Sequence, residues 1–183
     1  MKKILILFTL FLYTVPGFSQ MGKRFWGGIE LAAGHIFAKN LEGAFDASGN
    51  TVSFSQVTAG YFITLKLSLG AGIGLKGYEN PKINVVPVFA DIKYYPFEGK
   101  YNKILLDVQL GAPMYTAETD DFRTRFNTCI SAGFTLFSSQ KLQIIPAIGY
   151  DFVKYKLKGN YDPHFFGNAM SRNSIFFKIG FYY

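Results

Sequence analysis

From Leu67 to Lys76 the chain alternates without a break: Leu67, Leu69, Ala71, Ile73 and Leu75 are interleaved with Ser68, Gly70, Gly72, Gly74 and Lys76. Successive side chains of a β-strand point to opposite faces, so this run predicts a strand with one wholly apolar face. The same period of two recurs seven more times. Residues 25–37 place Ile29, Leu31 and Ala33 against Gly28, Glu30, Ala32 and Gly34, and residues 52–64 group Val57, Ala59, Tyr61 and Ile63. Residues 85–95 oppose Val86, Val88, Ala90, Ile92 and Tyr94 to Phe89, Asp91, Lys93 and Tyr95. A fifth run opposes Ile104, Leu106, Val108 and Leu110 to Asp107, Gln109 and Gly111. The sixth sets Ile130, Ala132, Phe134 and Leu136 against Cys129, Ser131, Gly133 and Thr135, and the seventh sets Leu142, Ile144, Ile148 and Tyr150 against Gln143, Gly149 and Asp151. In the last, Ile175, Phe177, Ile179, Phe181 and Tyr183 alternate with Phe176, Lys178, Gly180 and Tyr182.

Eight strands separated by turn chemistry predict an all-β, antiparallel, up-and-down sheet. Every strand has an apolar face, while Glu30, Asp91, Lys93, Asp107, Asp151 and Lys178 fall on the other. Short connections are expected around residues 65–66, 96–103 and 138–141, and longer ones over 38–51, 77–84, 115–124 and 155–173. That asymmetry is typical of transmembrane barrels and places both termini at the short-turn end. Aromatics near strand ends suggest two girdles: Phe25, Tyr61, Tyr94, Phe97, Phe137 and Phe181, Tyr182 and Tyr183 at the turn end, and Phe37, Tyr78, Tyr115, Tyr150, Tyr155 and Phe176 at the loop end. A soluble lipocalin-like barrel would invert the sheet, with the Leu67–Leu75 face lining a cavity.

The first residues read differently. Lys2 and Lys3 precede an apolar stretch from Ile4 to Val15, then Pro16-Gly17. This is the form of a secretory signal peptide, with small residues at Gly17 and Ser19 placing the cut after Ser19, or after Gln20 as the near alternative. The expected organisation is a signal peptide over 1–19 and one barrel domain over 20–183. No segment offers the roughly 20 apolar residues that a spanning helix requires, so any membrane span must be made of strands. Composition agrees, because 20 Phe, 12 Tyr and 19 Gly suit twisted sheet better than a helical bundle. Removing Lys2 and Lys3 lowers the formal charge from +7 to +5 without leaving a block of like charges, which gives nucleic-acid binding little support. Cys129 is the only cysteine, so an intramolecular disulfide is excluded.

Three passages resemble the small outer-membrane β-barrel proteins of the OmpA/OmpX/OmpW-like kind: residues 60–74 as a strand-turn-strand unit, 86–95 ending in Tyr94-Tyr95, and the aromatic C-terminus 175–183. The resemblance spans about residues 25–183. It implies an eight-stranded transmembrane barrel in the outer membrane of a Gram-negative cell, in contact with outer-membrane lipid. It also implies insertion by the barrel-assembly machinery, which would read Phe177, Ile179, Phe181 and the terminal Tyr183.

Candidate chemistry is sparse. Residues 72–77 match a dinucleotide-binding glycine pattern but lead into a loop rather than a helix, so the glycines are read as room for large side chains inside a narrow barrel. His35 and His164 lack partners at metal-ligand spacing, and Glu118, Asp120 and Asp121 lack the spacing of a calcium loop, so neither metal nor cofactor is expected. His164 with Ser171 and Asp162 is the one arrangement that a lipid A-modifying enzyme would use, although His164-Phe165-Phe166 departs from the deacylase pattern. The first expectation is a monomeric, non-enzymatic barrel with a structural or surface-interaction role, its long loops meeting an extracellular partner and its lumen filled by Glu30, Asp91, Lys93, Asp107, Asp151 and Lys178. The alternatives are a narrow channel or lateral route for a small hydrophobic solute, and the lipid-modifying enzyme. Pro87, Pro113 and Pro146 fall inside expected strands, where each removes a ladder donor, so bulges are expected there.

Overall fold

The computed structural model describes residues 24–40, 51–79, 83–97, 104–117, 122–139, 142–157 and 169–183. The leader expected over 1–19, with its expected cleavage residues Ser19 and Gln20, and His164, Asp162, Glu118, Asp120 and Asp121 lie outside them. Eight long strands form: β1 Phe25–Asn40, β2 Thr51–Phe62, β3 Leu67–Tyr78, β4 Ile83–Tyr94, β5 Ile104–Ala117, β6 Phe122–Phe134, β7 Gln143–Leu157 and β8 Ala169–Tyr182. A two-residue piece, Phe137–Ser138, continues β6 after a break and pairs with Ile144 and Gln143. Each strand runs antiparallel to its neighbours in chain order, β6 pairs with β7, and β1 pairs with β8 in the register Ile29–Phe181, Leu31–Ile179 and Ala33–Phe177. The sheet therefore closes on itself. Closure satisfies both edges, which a β-structure in hydrocarbon requires because lipid offers no hydrogen bonds.

Alternation sorts the faces as the sequence pattern implies. Leu69, Ile73, Leu75, Leu106, Leu110, Ile130, Ile148, Ile175 and Phe177 are exposed on the outer wall, whereas Glu30, Asp91, Lys93, Asp107 and Lys178 are at most 1% exposed. An apolar exterior around a charged interior is the membrane arrangement and the reverse of a soluble carrier. Three girdle assignments need correction, because Tyr78, Phe176 and Tyr182 are buried in the lumen. Each has inward parity; position near a strand end suggested an interface, but alternation decides the face.

Strand lengths correct a second expectation. The connections at the turn end hold four, nine and eight residues, and those at the loop end ten, four, four and eleven. The expected contrast in loop length is thus absent, because β5 runs to Ala117 and β6 starts at Phe122, and β7 and β8 likewise enter segments read as loop. Strands instead project past the apolar belt at the loop end, where outward positions become polar: Thr51, Ser53, Asn84 and Lys154 are exposed. The polar composition of these projections made them resemble loops.

The prolines sit where ladder bonds are missing. Pro87 faces Pro113 across β4 and β5, next to a register shift, and on its other side the β3–β4 ladder skips from Ile73–Val88 to Lys76–Val85. Pro87 has no N–H to donate, and the ladders on both its sides are irregular beside it. Pro113 lies beyond the Gly111–Asn127 pair at which, among the described residues, the β5–β6 ladder ends. Pro146 pairs with Ile179 of β8, but on its β6 side the register passes from Gly133–Ala147 to Phe137–Ile144, leaving one extra residue in β6. That is a bulge, placed opposite the residue that cannot donate.

Candidate functional site

The lumen is the place where strands from around the barrel bring polar groups together, and it is layered. Its floor, at the turn end, is an apolar cluster of Trp26, Tyr95, Leu105, Ile145 and Tyr182 with Phe62 packed against it. Immediately above lies a charged layer centred on Glu30. Lys93 and Lys178 donate to the Glu30 carboxylate at 3.0 and 2.9 Å, Gln109 at 3.1 Å, Tyr182 Oη at 2.6 Å, and Gln56 supplies a further short bond. Lys93 Nζ also meets Asp91 at 2.9 Å and Asp107 at 3.4 Å, and Lys178 binds Asp107 as well.

This layer is a product of register. β1 and β2 set Glu30 beside Gln56, while β4 and β5 set Lys93 beside Asp107 and Asp91 beside Gln109. Lys178 and Tyr182 reach in from β8, so five strands meet across the lumen. Three carboxylates face two ammonium groups, with Lys93 Nζ 4.9 Å from the centre of the Trp26 ring and 5.0 Å from that of Tyr182. Glu30, Asp107 and the two ammonium groups are each held by more than one partner, as desolvated ions require, whereas Asp91 is paired with Lys93.

A second layer lies towards the loop end. Lys76 binds Asp151 at 2.7 Å and Asn127 at 3.0 Å, Asn127 donates to Asp151 at 2.9 Å, and Tyr78 Oη donates to Asp151 at 3.0 Å. Phe54 lies under the Lys76 ammonium, 4.8 Å from it, and stacks edge-on against Phe176; Arg172 lies 5.7 Å from the Tyr78 ring. Ile36, Val52, Val85 and Val153 complete the apolar surroundings.

Large side chains fit because neighbouring strands leave room. A side chain at Gly72 would collide with the Phe89 ring, one at Gly149 with Phe176, and one at Gly60 with Trp26. Gly72 and Gly74 of the pattern at 72–77 therefore leave space within the barrel, whereas Gly77 stands on the outward parity beside Ser53 and Asn84.

Of the residues expected in one lumen network, Glu30, Asp91, Lys93, Asp107 and Lys178 come together, and Asp151 does not; it belongs to the layer above. Its partner Lys76 already lay on the inward face of β3, so the parity that singled out the others could have found it. Gln56, Gln109 and Asn127 carry no charge and gave a weaker signal, and Arg172 fell in a segment read as loop. Cys129 is buried, His35 is exposed on the outer wall, and among the described residues no cluster of potential ligands could hold a metal ion. Ser171 lies on β8, partly exposed. At the C-terminus Phe177, Ile179 and Tyr183 are exposed on the outer wall, and Phe181 is half-buried between them.

The closed eight-stranded ring that holds these layers is a fold that solved structures share. AlkL, determined by solid-state NMR in lipid bilayers, matches with a TM-score of 0.56 and 10% identity over 88% of this chain and 90% of that one. OprG from Pseudomonas aeruginosa matches at 0.51 with 15% identity over 87% and 95%, and Neisserial surface protein A at 0.52 with 12% identity over 85% and 95%. The fold is that of the small outer-membrane β-barrels. No family model matches the sequence, and no curated protein matches it. Identities this low carry the architecture and nothing finer.

Proposed function

We propose that this protein is a monomeric outer-membrane barrel with a permanently filled lumen, acting through its outer wall and loops rather than by conduction or catalysis. The observation that carries the reading is the Glu30-centred layer: side chains from five strands cross the lumen and bind one another, over an apolar floor. Eight strands enclose only enough space for side chains, so this layer occupies the route a solute would take. Export, a signal cut after Ser19 or Gln20, insertion by the barrel-assembly machinery through Phe177, Ile179, Phe181 and Tyr183, and an extracellular partner at the loop end belong to the same proposal. Purified protein in planar bilayers is expected to show no sustained large conductance. Porin-like currents that persist in the unmutated protein would overturn the filled-lumen reading.

One observation favours a second reading, a lateral route for a small hydrophobic solute. Beyond Gly111–Asn127, β5 and β6 continue towards the loop end without a ladder between them, and Met114, at the adjacent shift, is 72% exposed. A wall segment without inter-strand bonds opens at lower cost than one with them. Proteoliposomes should then exchange a hydrophobic dye faster than empty vesicles. An unchanged rate removes this reading and leaves the first intact.

A further inference from the structure

Past the apolar belt at the loop end, β6 and β7 carry cations at alternate positions: Arg123 and Arg125 on one, Lys154 and Lys156 on the other. No Asp or Glu occurs in residues 122–128 or 152–157. The β6–β7 register sets Arg123 directly opposite Lys156, and Phe126 opposite Lys154, with Arg125 in the intervening shift. Lys154 is exposed on the outer wall, and Phe126 beside it is 43% exposed. Residues two apart on a strand stand at positions of one face, as do directly opposed residues, so the register gives Arg123 and Lys156 the same face of the sheet as the exposed Lys154.

Two features of this face point to its occupant. Like charges directly opposed across an antiparallel pair are destabilising, so the ladder favours a bound counter-charge. The face is also continuous with the lipid-facing belt: Ile148 and then the Ile130–Tyr150 pair lie lower on the same two strands, followed towards the loop end by Phe126 level with Lys154 and then by the Arg123–Lys156 pair. The layer next to hydrocarbon is the headgroup layer, where basic side chains meet anionic lipid. We propose that Arg123, Lys154 and Lys156 form a docking site for the phosphate-bearing headgroups of lipids that surround the barrel. The proposal rests on membrane placement of the barrel, and its test keeps the two apart.

The full-length mature chain, refolded into phosphatidylcholine vesicles with or without phosphatidylglycerol, is first checked for insertion by flotation and for folding by heat-modifiability on a gel. Lipid retained by the folded protein is then measured by native mass spectrometry. The unmutated chain should retain phosphatidylglycerol over phosphatidylcholine by about tenfold or more, given the attraction of each basic residue to an anionic surface, and added salt should erode that preference. The combined variant Arg123→Gln, Lys154→Gln, Lys156→Gln should lose it, while Lys66→Gln at the opposite end of the barrel should keep it. Insertion without preference, or with a preference the triple variant retains, overturns the headgroup site and leaves membrane placement standing. Displacement of the lipid by inorganic phosphate in modest excess would assign the cations to a soluble anion instead. Failure of the chain to float overturns membrane placement and the proposal together. If the triple variant does not fold, salt dependence in the unmutated chain decides: a preference that ignores salt is not made by these cations.

Discussion

The turn-end and loop-end halves of the barrel are built from the same eight strands yet follow different rules. In the turn-end half the ladders between β1 and β2, β2 and β3, and β4 and β5 run in unbroken register, and Glu30 of β1 gathers polar partners from four other strands. The irregularity there is the β6 break opposite Pro146. In the loop-end half β1 shifts against β8 between Ile36 and Ala38, β6 shifts against β7 between Thr124 and Phe126, the β3–β4 ladder skips, and the β5–β6 ladder stops. Outward positions there include Ser53, Asn84 and Lys154. The difference is one of solvent: backbone groups within hydrocarbon must bond to each other, whereas strands that project past the belt can bond to water and tolerate shifts. Stability should therefore be concentrated in the turn-end half.

The largest expected effect tests that concentration directly. Glu30→Ala leaves Lys93 and Lys178 buried with fewer countercharges and removes the acceptor of Gln56, Gln109 and Tyr182, so it should cost about 3–5 kcal/mol. Asn127→Ala in the upper layer removes one hydrogen-bonding partner of Lys76 and Asp151 but leaves their ion pair, and should cost less, about 1–3 kcal/mol. Urea unfolding in micelles measures both, with Trp26, the only tryptophan, as a fluorescent probe in the floor itself. Equal losses would mean that the two halves share stability evenly.

Next comes the outer wall. Ile73→Arg places a charge in the middle of the β3 apolar run and should cost about 2–4 kcal/mol, whereas Ser53→Arg on the projecting part of β2 should cost about 0–1 kcal/mol. Folded protein recovered after insertion into vesicles provides the comparison. Comparable recovery of both variants would place Ser53 within the hydrocarbon and remove the distinction between belt and projection.

A third effect lies inside the lumen. Gly72→Leu should cost about 1–3 kcal/mol because its side chain enters space held by the Phe89 ring. Adding Phe89→Ala should return part of that loss. If the second change only adds to the first, the glycine is needed for its backbone and not for the room it leaves.

Much of this was legible in the sequence, and the reason is parity. Alternation in β3 alone assigns Leu69 and Ile73 outward and Lys76 inward, and the same rule applied to each strand puts Glu30, Lys93, Asp107 and Lys178 in one interior. Parity carries no height, however, so it could not separate Asp151 from the Glu30 layer; that depends on inter-strand stagger, such as the Glu30–Gln56 and Cys129–Asp151 registers. Nor could hydropathy find the strand ends at Ala117, Phe122, Leu157 and Ala169, because a strand in water alternates no more visibly than a loop. Tyr78, Phe176 and Tyr182 show the converse: each lies near a strand end, as interface aromatics do, yet stands on the inward face and is buried.

The smallest expected effect bears on the seam between β5 and β6. Replacing Pro113 by alanine restores a backbone donor, and in a continuous ladder that donor would find an acceptor and stabilise the barrel. Pro113 instead faces Pro87 on one side and lies beyond the last β5–β6 pair on the other. The restored amide should therefore gain no ladder bond, while the unfolded chain gains freedom, giving a loss of about 0.4–1 kcal/mol. Hydrogen exchange at position 113 should be fast, in contrast to protected amides at Leu106 and Val108 lower on the same strand, where β5 is paired on both sides. A slow-exchanging amide at 113 together with a gain in stability would show that β5 and β6 join once the proline is gone. The seam would then be a consequence of one residue rather than of the register, and the contrast between the halves would lose its clearest instance.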